Sequence, residues 1–162
     1  IFLVFTLGGQ EYGLAISAVE EVARLPDQVT RLPRSPDFLK GVINLRGSVL
    51  PIIDQRRRFE LPEGGGGEAR RLVVIRIGAN IAGFIVDGVS EVLRTQESAI
   101  EPAPDVVGGA AVLEGVLNLE SSGRMILLLD PSRLLSTTEK GLLDALGRVD
   151  EAQSAVDQDS GR

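Results

Sequence analysis

Apolar residues along the chain fall into eight short runs rich in β-branched side chains, each bounded by Gly, Pro, Asn or Asp. Short apolar runs separated by turn-forming residues are typical of β-strands. Helical signals are brief until residue 136. The pattern therefore predicts an all-β sandwich or barrel, with strands at 1–7, 12–16, 42–45, 48–54, 71–78, 82–87, 112–119 and 124–130.

The end of the chain has a different pattern. Residues 136–139 read Ser-Thr-Thr-Glu, the capping box that begins many helices. Four apolar residues then form one stripe at helical spacing: Leu142, Leu143, Leu146 and Val149. We expect a C-terminal helix over 137–149, packed on the strands. Residues 150–162 are polar and acidic, which predicts a disordered tail.

The two halves of the chain resemble each other. Residues 3–24 align without a gap on residues 73–94. Two further patterns recur in the same order: Leu-x-Gly-Val-x-Asn-Leu at 39–45 and 113–119, and Asp-x-x-Arg-x-apolar at 54–59 and 130–135. This period is too long for a solenoid repeat and indicates a duplicated domain.

Each copy supplies roughly five strands, enough to close a small SH3-like or OB-like barrel. We therefore predict two packed five-stranded SH3-like β-barrels with short helical turns. The copies span about 1–60 and 70–135 within a single domain over 1–149. The segment 61–69 between them contains four consecutive glycines and is interpreted as a flexible linker. It lacks the Lys-Ser/Thr that ends a phosphate-binding loop.

Composition narrows the range of functions. The 162 residues carry a net charge of −6 and include neither cysteine nor histidine. An acidic protein repels nucleic acids and anionic membranes, so neither is an expected partner. Without histidine or cysteine, the commonest catalytic bases, nucleophiles and metal ligands are missing, and we expect no catalysis, metal or cofactor. No apolar run is long enough to insert in a membrane, and a cytoplasmic location is expected.

Arginines flank the linker at Arg56, Arg57 and Arg58 on one side and Arg70 and Arg71 on the other. A nucleic-acid surface is one interpretation, but the chain is acidic and offers one tyrosine and no tryptophan for base stacking. The equivalent segment of the second copy, residues 130–133, suggests a short helical turn with its arginine facing back toward its aspartate. A solvated or protein-contacting surface is therefore the favoured interpretation.

The segment Asn44-Leu45-Arg46-Gly47 joins two predicted strands, and Asn and Gly favour a hairpin turn. Arg46 then either points into water at the turn or contacts a partner. The second copy has Glu-Ser-Ser-Gly at 120–123, without the arginine. An arginine required by the fold would be expected in both copies, so the difference favours a protein contact for Arg46.

A second pair of related segments is Val19-x-Glu21-Val22 and Val89-x-Glu91-Val92. We interpret both as short turns leading into the next strand, with the valines buried and the glutamates exposed.

Taken together, these motifs resemble the CheW family of bacterial chemotaxis adaptors from residue 1 to about residue 147. The resemblance is carried by Tyr-Gly-Leu at 12–14, the block GVINLRGSVLPIID at 41–54 and Val-Asp-Gly-Val-Ser at 86–90. It implies two packed SH3-like barrels and no catalysis. It also implies binding to the cytoplasmic hairpin tip of chemoreceptors and to the regulatory domain of the histidine kinase CheA, in arrays held at membrane-anchored receptors.

The resemblance also implies which residues meet these partners. Asn44, Leu45, Arg46 and Gly47 match the segment that the family uses at its receptor and kinase contacts, and Val19 and Glu21 match a turn near its receptor-binding groove. Two alternatives stay open. The chain could be a CheW-like regulatory domain of a larger kinase or of a receiver-containing coupling protein, or a small-barrel hydrolase or nucleic-acid binder.

Overall fold

The computed structural model describes residues 1–35, 37, 39–54, 67–103, 112–135 and 139–142. These residues form eleven β-strands and four single-turn 3-10 helices, at Ile16–Ala18, Gly67–Ala69, Glu97–Ala99 and Pro131–Arg133. The strands are β1 (Phe2–Leu7), β2 (Gln10–Ala15), β3 (Val19–Arg24), β4 (Leu39–Leu45), β5 (Ser48–Ile53), β6 (Arg71–Ile77), β7 (Asn80–Val86), β8 (Gly88–Leu93), β9 (Ile100–Glu101), β10 (Leu113–Leu119) and β11 (Arg124–Leu129).

All eight predicted strands are present, and the all-β fold of two packed SH3-like barrels is confirmed. The interpretation of the Val19 and Val89 segments as turns was wrong, because they form β3 and β8. Both are edge strands with one neighbour each. An edge strand exposes one face and one side to solvent, so it lacks the apolar run that marks an interior strand.

The strands form two sheets. A six-stranded sheet has the order β8-β1-β2-β11-β10-β9, and a five-stranded sheet has the order β3-β6-β7-β5-β4. Seven of the nine neighbouring pairs are antiparallel, but β2 pairs in parallel with β11 and β7 pairs in parallel with β5. These two parallel pairs join strands that are far apart in the sequence.

The sheets do not follow the two sequence copies. The first hairpin of each copy lies in the sheet that contains the remaining strands of the other copy: β1-β2 lies with β8–β11, and β6-β7 lies with β3–β5. The expectation that each copy closes its own barrel was therefore wrong. The domain boundaries at 1–149, with copies at 1–60 and 70–135, stay a prediction.

The exchange is symmetric down to the register. On β3, Val19 pairs with Ile75 and Glu21 with Val74, with a bulge between them. The equivalent residues in the six-stranded sheet pair in the same way, again across a bulge: Val89 with Phe5 and Glu91 with Val4. The duplicated sequences thus specify the same local pairing twice.

Three apolar clusters hold the sheets together. One lies within the six-stranded sheet and includes Val4 and Leu117, and a second lies within the five-stranded sheet and includes Ile52 and Val74. The largest cluster contains residues from both sheets, among them Phe5, Val73 and Phe84. One face of β1 and of β6 packs in the apolar cluster of its own sheet, and the other face packs in the cluster shared by both sheets. Both strands are therefore buried on both faces.

Two equivalent glycines permit the parallel contacts between copies. A Cβ atom on Gly13 of β2 would lie 2.9 Å from Cδ2 of Leu128 on β11. A Cβ atom on Gly83 of β7 would lie 2.8 Å from Leu72 and 3.0 Å from Ile52 on β5. Both glycines therefore sit where a side chain would collide with core residues.

Several predictions concern the ends of elements. Asp130 begins the predicted helical turn, where its Oδ1 accepts a hydrogen bond from the backbone N–H of Ser132, and Arg133 faces back to Asp130 as expected. Of the predicted helix over 137–149, residues 139–142 are helical and the remainder lies outside the described residues. Residues 55–66 and the predicted tail also lie outside them.

Candidate partner-binding site

The predicted turn at Asn44-Leu45-Arg46-Gly47 is a two-residue hairpin turn. Leu45 ends β4 opposite Ser48, which begins β5. Both turn residues have positive φ, 52° at Arg46 and 89° at Gly47, as a type I′ turn requires. The backbone N–H of Gly47 donates to Oδ1 of Asn44 at 2.8 Å, so Asn44 fixes the shape of the turn.

Arg46 is an unusual residue for this conformation. Asn, Asp and Gly are favoured at the first position of a type I′ turn. An ordinary residue in the left-handed region costs roughly 1–2 kcal/mol. Among the described residues, the only other non-glycine residue with positive φ is Arg34. The backbone alone therefore does not favour arginine here.

The guanidinium of Arg46 forms an ion pair with the carboxylate of Glu21. Glu21 lies on β3, and the turn of Arg46 lies at the end of β4. These two strands are the opposite edges of the five-stranded sheet. The ion pair therefore joins the two edges of the sheet, and it brings together two of the residues predicted to form one site.

The other predicted residues surround this ion pair. Leu45 is half-buried and packs against the apolar cluster of the five-stranded sheet. Val19 is half-buried and packs against the cluster shared by both sheets. Asn44 is exposed at the surface. Leu45 and Val19 therefore anchor the backbone, and Asn44, Arg46 and Gly47 form the exposed part.

The six-stranded sheet contains a second ion pair of this kind. Glu91 on the edge strand β8 is the equivalent of Glu21, and it accepts a hydrogen bond of 2.6 Å from Nη2 of Arg124. Arg124 begins β11, directly after the turn at 120–123. An ion pair between an arginine and the edge-strand glutamate is thus present in both sheets, although Arg124 occupies the strand position of Ser48 and not the turn position of Arg46.

The sequence argument for a partner contact at Arg46 rested on the absence of an arginine from the second turn. Both sheets nevertheless contain an ion pair between an arginine and the edge-strand glutamate, so that difference alone does not separate a role in the fold from a partner contact. The assignment of Arg46 to a partner stays a prediction. A different contrast remains. Arg124 binds a second carboxylate, that of Glu11, and its side chain is 32% exposed. Arg46 has one carboxylate partner among the described residues and its side chain is 71% exposed.

A guanidinium carries five N–H donors. Arg124 directs its Nε and Nη2 groups to the carboxylates of Glu11 and Glu91, whereas Arg46 directs only Nη2 to Glu21. Arg46 therefore keeps donors that can reach an incoming carboxylate or carbonyl, and Arg124 keeps fewer.

The electrostatics of Arg124 follow from its two carboxylates. Hydrogen bonding to Arg124 lowers the pKa of Glu11 from its ordinary value of 4.5, against a smaller opposing effect of burial. Hydrogen bonds to Glu11 and then to Glu91 raise the pKa of Arg124. Arg124 and Glu11 therefore stay ionised at neutral pH.

Sequence reasoning missed Arg124, Glu11 and Glu91 as a cluster. The repeat had already aligned Glu91 with Glu21. A search for an arginine on either side of the second turn would have found Arg124. The four-residue turn at 120–123 hid the ion pair of Arg124 with Glu91, because the alignment compared turn positions and not strand ends.

Apolar side chains are exposed on three strands near this site. Val22 follows Glu21 on β3 and is 40% exposed. Because successive side chains of a strand point to opposite faces, Val22 lies on the other face of β3 from Glu21. Val49 lies opposite Asn44 and is also exposed, and the equivalent valine of the second copy, Val92, is 57% exposed. The expectation that Val22 and Val92 are buried was wrong.

Within the part of the chain that the structure describes, no group of three His, Cys, Asp or Glu side chains could hold a metal ion. Among those same residues, no helix is both long and apolar enough to cross a membrane.

The chain is similar in sequence to known proteins. Residues 2–139 match the family described as CheW-like domain. The chemotaxis protein CheW of Klebsiella aerogenes is 43% identical over 148 residues, covering 91% of this chain and 88% of that protein. The chemotaxis protein CheW of Bacillus subtilis is 32% identical, covering 82% of this chain and 85% of that protein.

A solved structure is also similar. The crystal structure of a scaffolding protein, TtCheW from Thermoanaerobacter tengcongensis, superposes with a TM-score of 0.76 at 35% identity, covering 84% of this chain and 87% of that chain. Sequence, fold and length therefore lead to one conclusion: the chain belongs to the CheW-like domain family.

Proposed function

We propose that the protein is a non-catalytic chemotaxis adaptor. It bridges the cytoplasmic hairpin tip of a chemoreceptor to the regulatory domain of the histidine kinase CheA. It thereby couples the state of the receptor to the activity of the kinase. Its site of action is the cytoplasmic face of membrane-anchored receptor arrays.

The comparisons support the general part of this proposal. The Klebsiella aerogenes and Bacillus subtilis relatives are named chemotaxis proteins, and the Thermoanaerobacter tengcongensis structure is titled a scaffolding protein. A scaffold needs binding surfaces and no reactive group. Among the described residues there is no metal-binding cluster, and the whole chain has no histidine or cysteine.

The observation that carries the proposal is the backbone conformation and the exposure of Arg46. This residue adopts a left-handed conformation that its residue type disfavours, and its side chain is largely exposed. The turn would form more easily with asparagine or glycine there. A partner contact is a reason to keep arginine in spite of that cost. Arginine is also enriched among the residues that dominate protein interfaces.

Glu21 supports this role by holding Arg46 in place. The ion pair limits the directions in which the guanidinium can point, so less conformational freedom is lost when a partner binds. The proposed surface, which we call the Arg46 surface, comprises Val19, Glu21, Asn44, Leu45, Arg46 and Gly47.

A binding experiment with a matched control tests the proposal. A soluble receptor signalling fragment and a purified CheA regulatory domain are titrated against the wild type, Arg46→Ala and Arg133→Ala. Arg133 is the control because it is also an exposed arginine with one carboxylate partner, Asp130. We expect the wild type to bind both partners and Arg46→Ala to weaken at least one of them by about tenfold or more.

Arg133→Ala should bind like the wild type. If the wild type binds neither partner, the adaptor function is wrong. If Arg46→Ala and Arg133→Ala bind equally well, the adaptor function stands and the Arg46 surface is wrong.

A further inference from the structure

Two arginines lie directly opposite each other at one end of the five-stranded sheet. Arg24 ends β3 and pairs with Arg71, the first residue of β6. Side chains at directly opposite positions of an antiparallel pair lie on the same face, roughly 5 Å apart at Cβ, and like charges there repel. Arg70 precedes Arg71 in the chain. We call Arg24, Arg70 and Arg71 the arginine surface.

The described part of the chain supplies no carboxylate to these arginines. Nη1 of Arg71 donates to the backbone carbonyls of Glu68 and Arg70, each at 2.8 Å. Nε of Arg70 is buried and has no hydrogen-bond acceptor. By contrast, four other arginines each form an ion pair with a carboxylate: Arg46, Arg76, Arg124 and Arg133.

The contacts of Arg71 matter for binding. Two backbone carbonyls hold one side of its guanidinium without neutralising its charge. The remaining N–H groups of the guanidinium therefore already point in fixed directions before a partner binds, and the guanidinium keeps its positive charge. A planar guanidinium held in this way is suited to a carboxylate, which it can meet through two parallel hydrogen bonds.

The equivalent position in the six-stranded sheet lacks a pair of opposite arginines. By the alignment of the two copies, Arg94 is the equivalent of Arg24 and Ile1 is the equivalent of Arg71. The cross-strand arginine pair is therefore not needed to build this type of sheet.

The arginine surface lies beside exposed apolar area. Val22 precedes Arg24 by two residues on β3, on the same face of the strand, and its side chain is exposed. Its cross-strand partner Val73 is buried in the cluster shared by both sheets. An acidic segment that reaches the arginines can therefore also contact an apolar side chain.

We propose that the arginine surface binds a carboxylate-rich segment of a protein partner. A peptide fits better than a nucleic acid because the net charge of −6 repels a long polyanion, whereas a short acidic segment senses mainly the local charge. This contact is separate from the Arg46 surface and does not depend on it.

The first test measures stability by urea unfolding of the whole chain. Arg24→Gln should unfold at the same or higher urea concentration than the wild type, because it removes a repulsion. Arg94→Gln is the matched control and should leave stability unchanged. If Arg24→Gln lowers stability, a carboxylate within the chain already neutralises this arginine, and the proposal is overturned.

The second test measures binding of a synthetic octaglutamate peptide by NMR titration. We expect shifts at Arg24, Arg71 and Val22, weaker binding at higher salt, and a loss of about tenfold or more in the variant with both Arg24→Gln and Arg71→Gln. Arg94→Gln should bind like the wild type.

Three results would contradict the proposal. The peptide could fail to bind, it could bind equally to the double variant, or single-stranded DNA could bind the same arginines more tightly than the peptide. The titrations with the receptor fragment and the CheA regulatory domain test the adaptor function and not the arginine surface. They can therefore succeed when this proposal fails.

Discussion

Arg124 donates two hydrogen bonds to Glu11, from Nε to Oε2 at 3.0 Å and from Nη2 to Oε1 at 2.8 Å. Arg124 begins β11 in the second copy, and Glu11 lies on β2 in the first. The two strands are parallel neighbours in the six-stranded sheet. This bidentate ion pair therefore reinforces the junction at which one copy inserts its first hairpin into the sheet of the other.

The pair predicts how stability depends on pH. Arg124 lowers the pKa of Glu11 below its ordinary value of 4.5 in the folded state. A carboxyl of this kind stabilises the fold above its unfolded pKa, and the contribution is lost as pH falls through the folded pKa. Glu11→Gln should therefore reduce stability by roughly 0.5–1 kcal/mol at pH 7 and by much less at pH 3.

Urea unfolding of both proteins at the two pH values measures this effect. Glu97→Gln, at an exposed glutamate in a 3-10 turn, is the control and should show little difference at either pH. A deficit in Glu11→Gln that is the same at pH 7 and pH 3 would rule out the ion pair as its cause.

A second prediction separates the backbone cost of Arg46 from its binding role. Arg46→Asn places a favoured residue in the left-handed position of the turn and removes the ion pair with Glu21. The relief of strain offsets the loss of an exposed ion pair, so unfolding stability should be unchanged or higher. Partner binding should weaken as in Arg46→Ala. A clear loss of stability would show that the ion pair is needed to close the sheet.

For the neighbouring residue, Gly47, we expect a substitution to lower stability. Gly47 has a φ of 89°, and a Cβ atom there would meet nothing within 4 Å. Gly47→Ala therefore carries a backbone penalty alone, and we expect a loss of roughly 1–2 kcal/mol in urea unfolding. The same loss should not occur in Gly141→Ala, where φ is not positive and the surrounding space is open.

The close contacts at Gly13 and Gly83 predict overpacking. Either glycine changed to alanine would place a methyl group within 3 Å of buried leucine side chains. We expect each variant to lose about 1–3 kcal/mol of stability, and the two losses to be similar because the sites are equivalent. Equal stability of the wild type and Gly83→Ala would mean that the strands can separate to accept the methyl group.

The exchange of hairpins predicts how fragments behave. Residues 1–62 lack four strands of the six-stranded sheet and the two central strands, β6 and β7, of the five-stranded sheet. This fragment should therefore show little β-structure alone by circular dichroism. Mixing it with residues 63–162 should restore strand signal, because the parallel pairs β2-β11 and β7-β5 can form only between the fragments. An independently folded fragment 1–62 would contradict the exchange.

Part of the candidate site could be predicted from the sequence. Asn44 and Gly47 indicated a hairpin turn, and the turn forms with both in the expected roles. The pairing of Arg46 with Glu21 could not be predicted, because it depends on how far the sheet curves to bring β3 near the end of β4. The pairing of Arg124 with Glu91 also could not be predicted, because Arg124 lies at the start of a strand after a turn of different length.

The positions of most strands, the duplication and the polar turn could be predicted from the sequence. These features depend on residue type and on neighbours close in the chain. The exchange of the first hairpins between the copies became visible only in the folded structure. Backbone hydrogen bonds carry no side-chain identity, and the two first hairpins have the same apolar pattern, so pairing within a copy and pairing between copies look alike locally. The choice depends on packing between distant strands, where Gly13 and Gly83 meet the other copy.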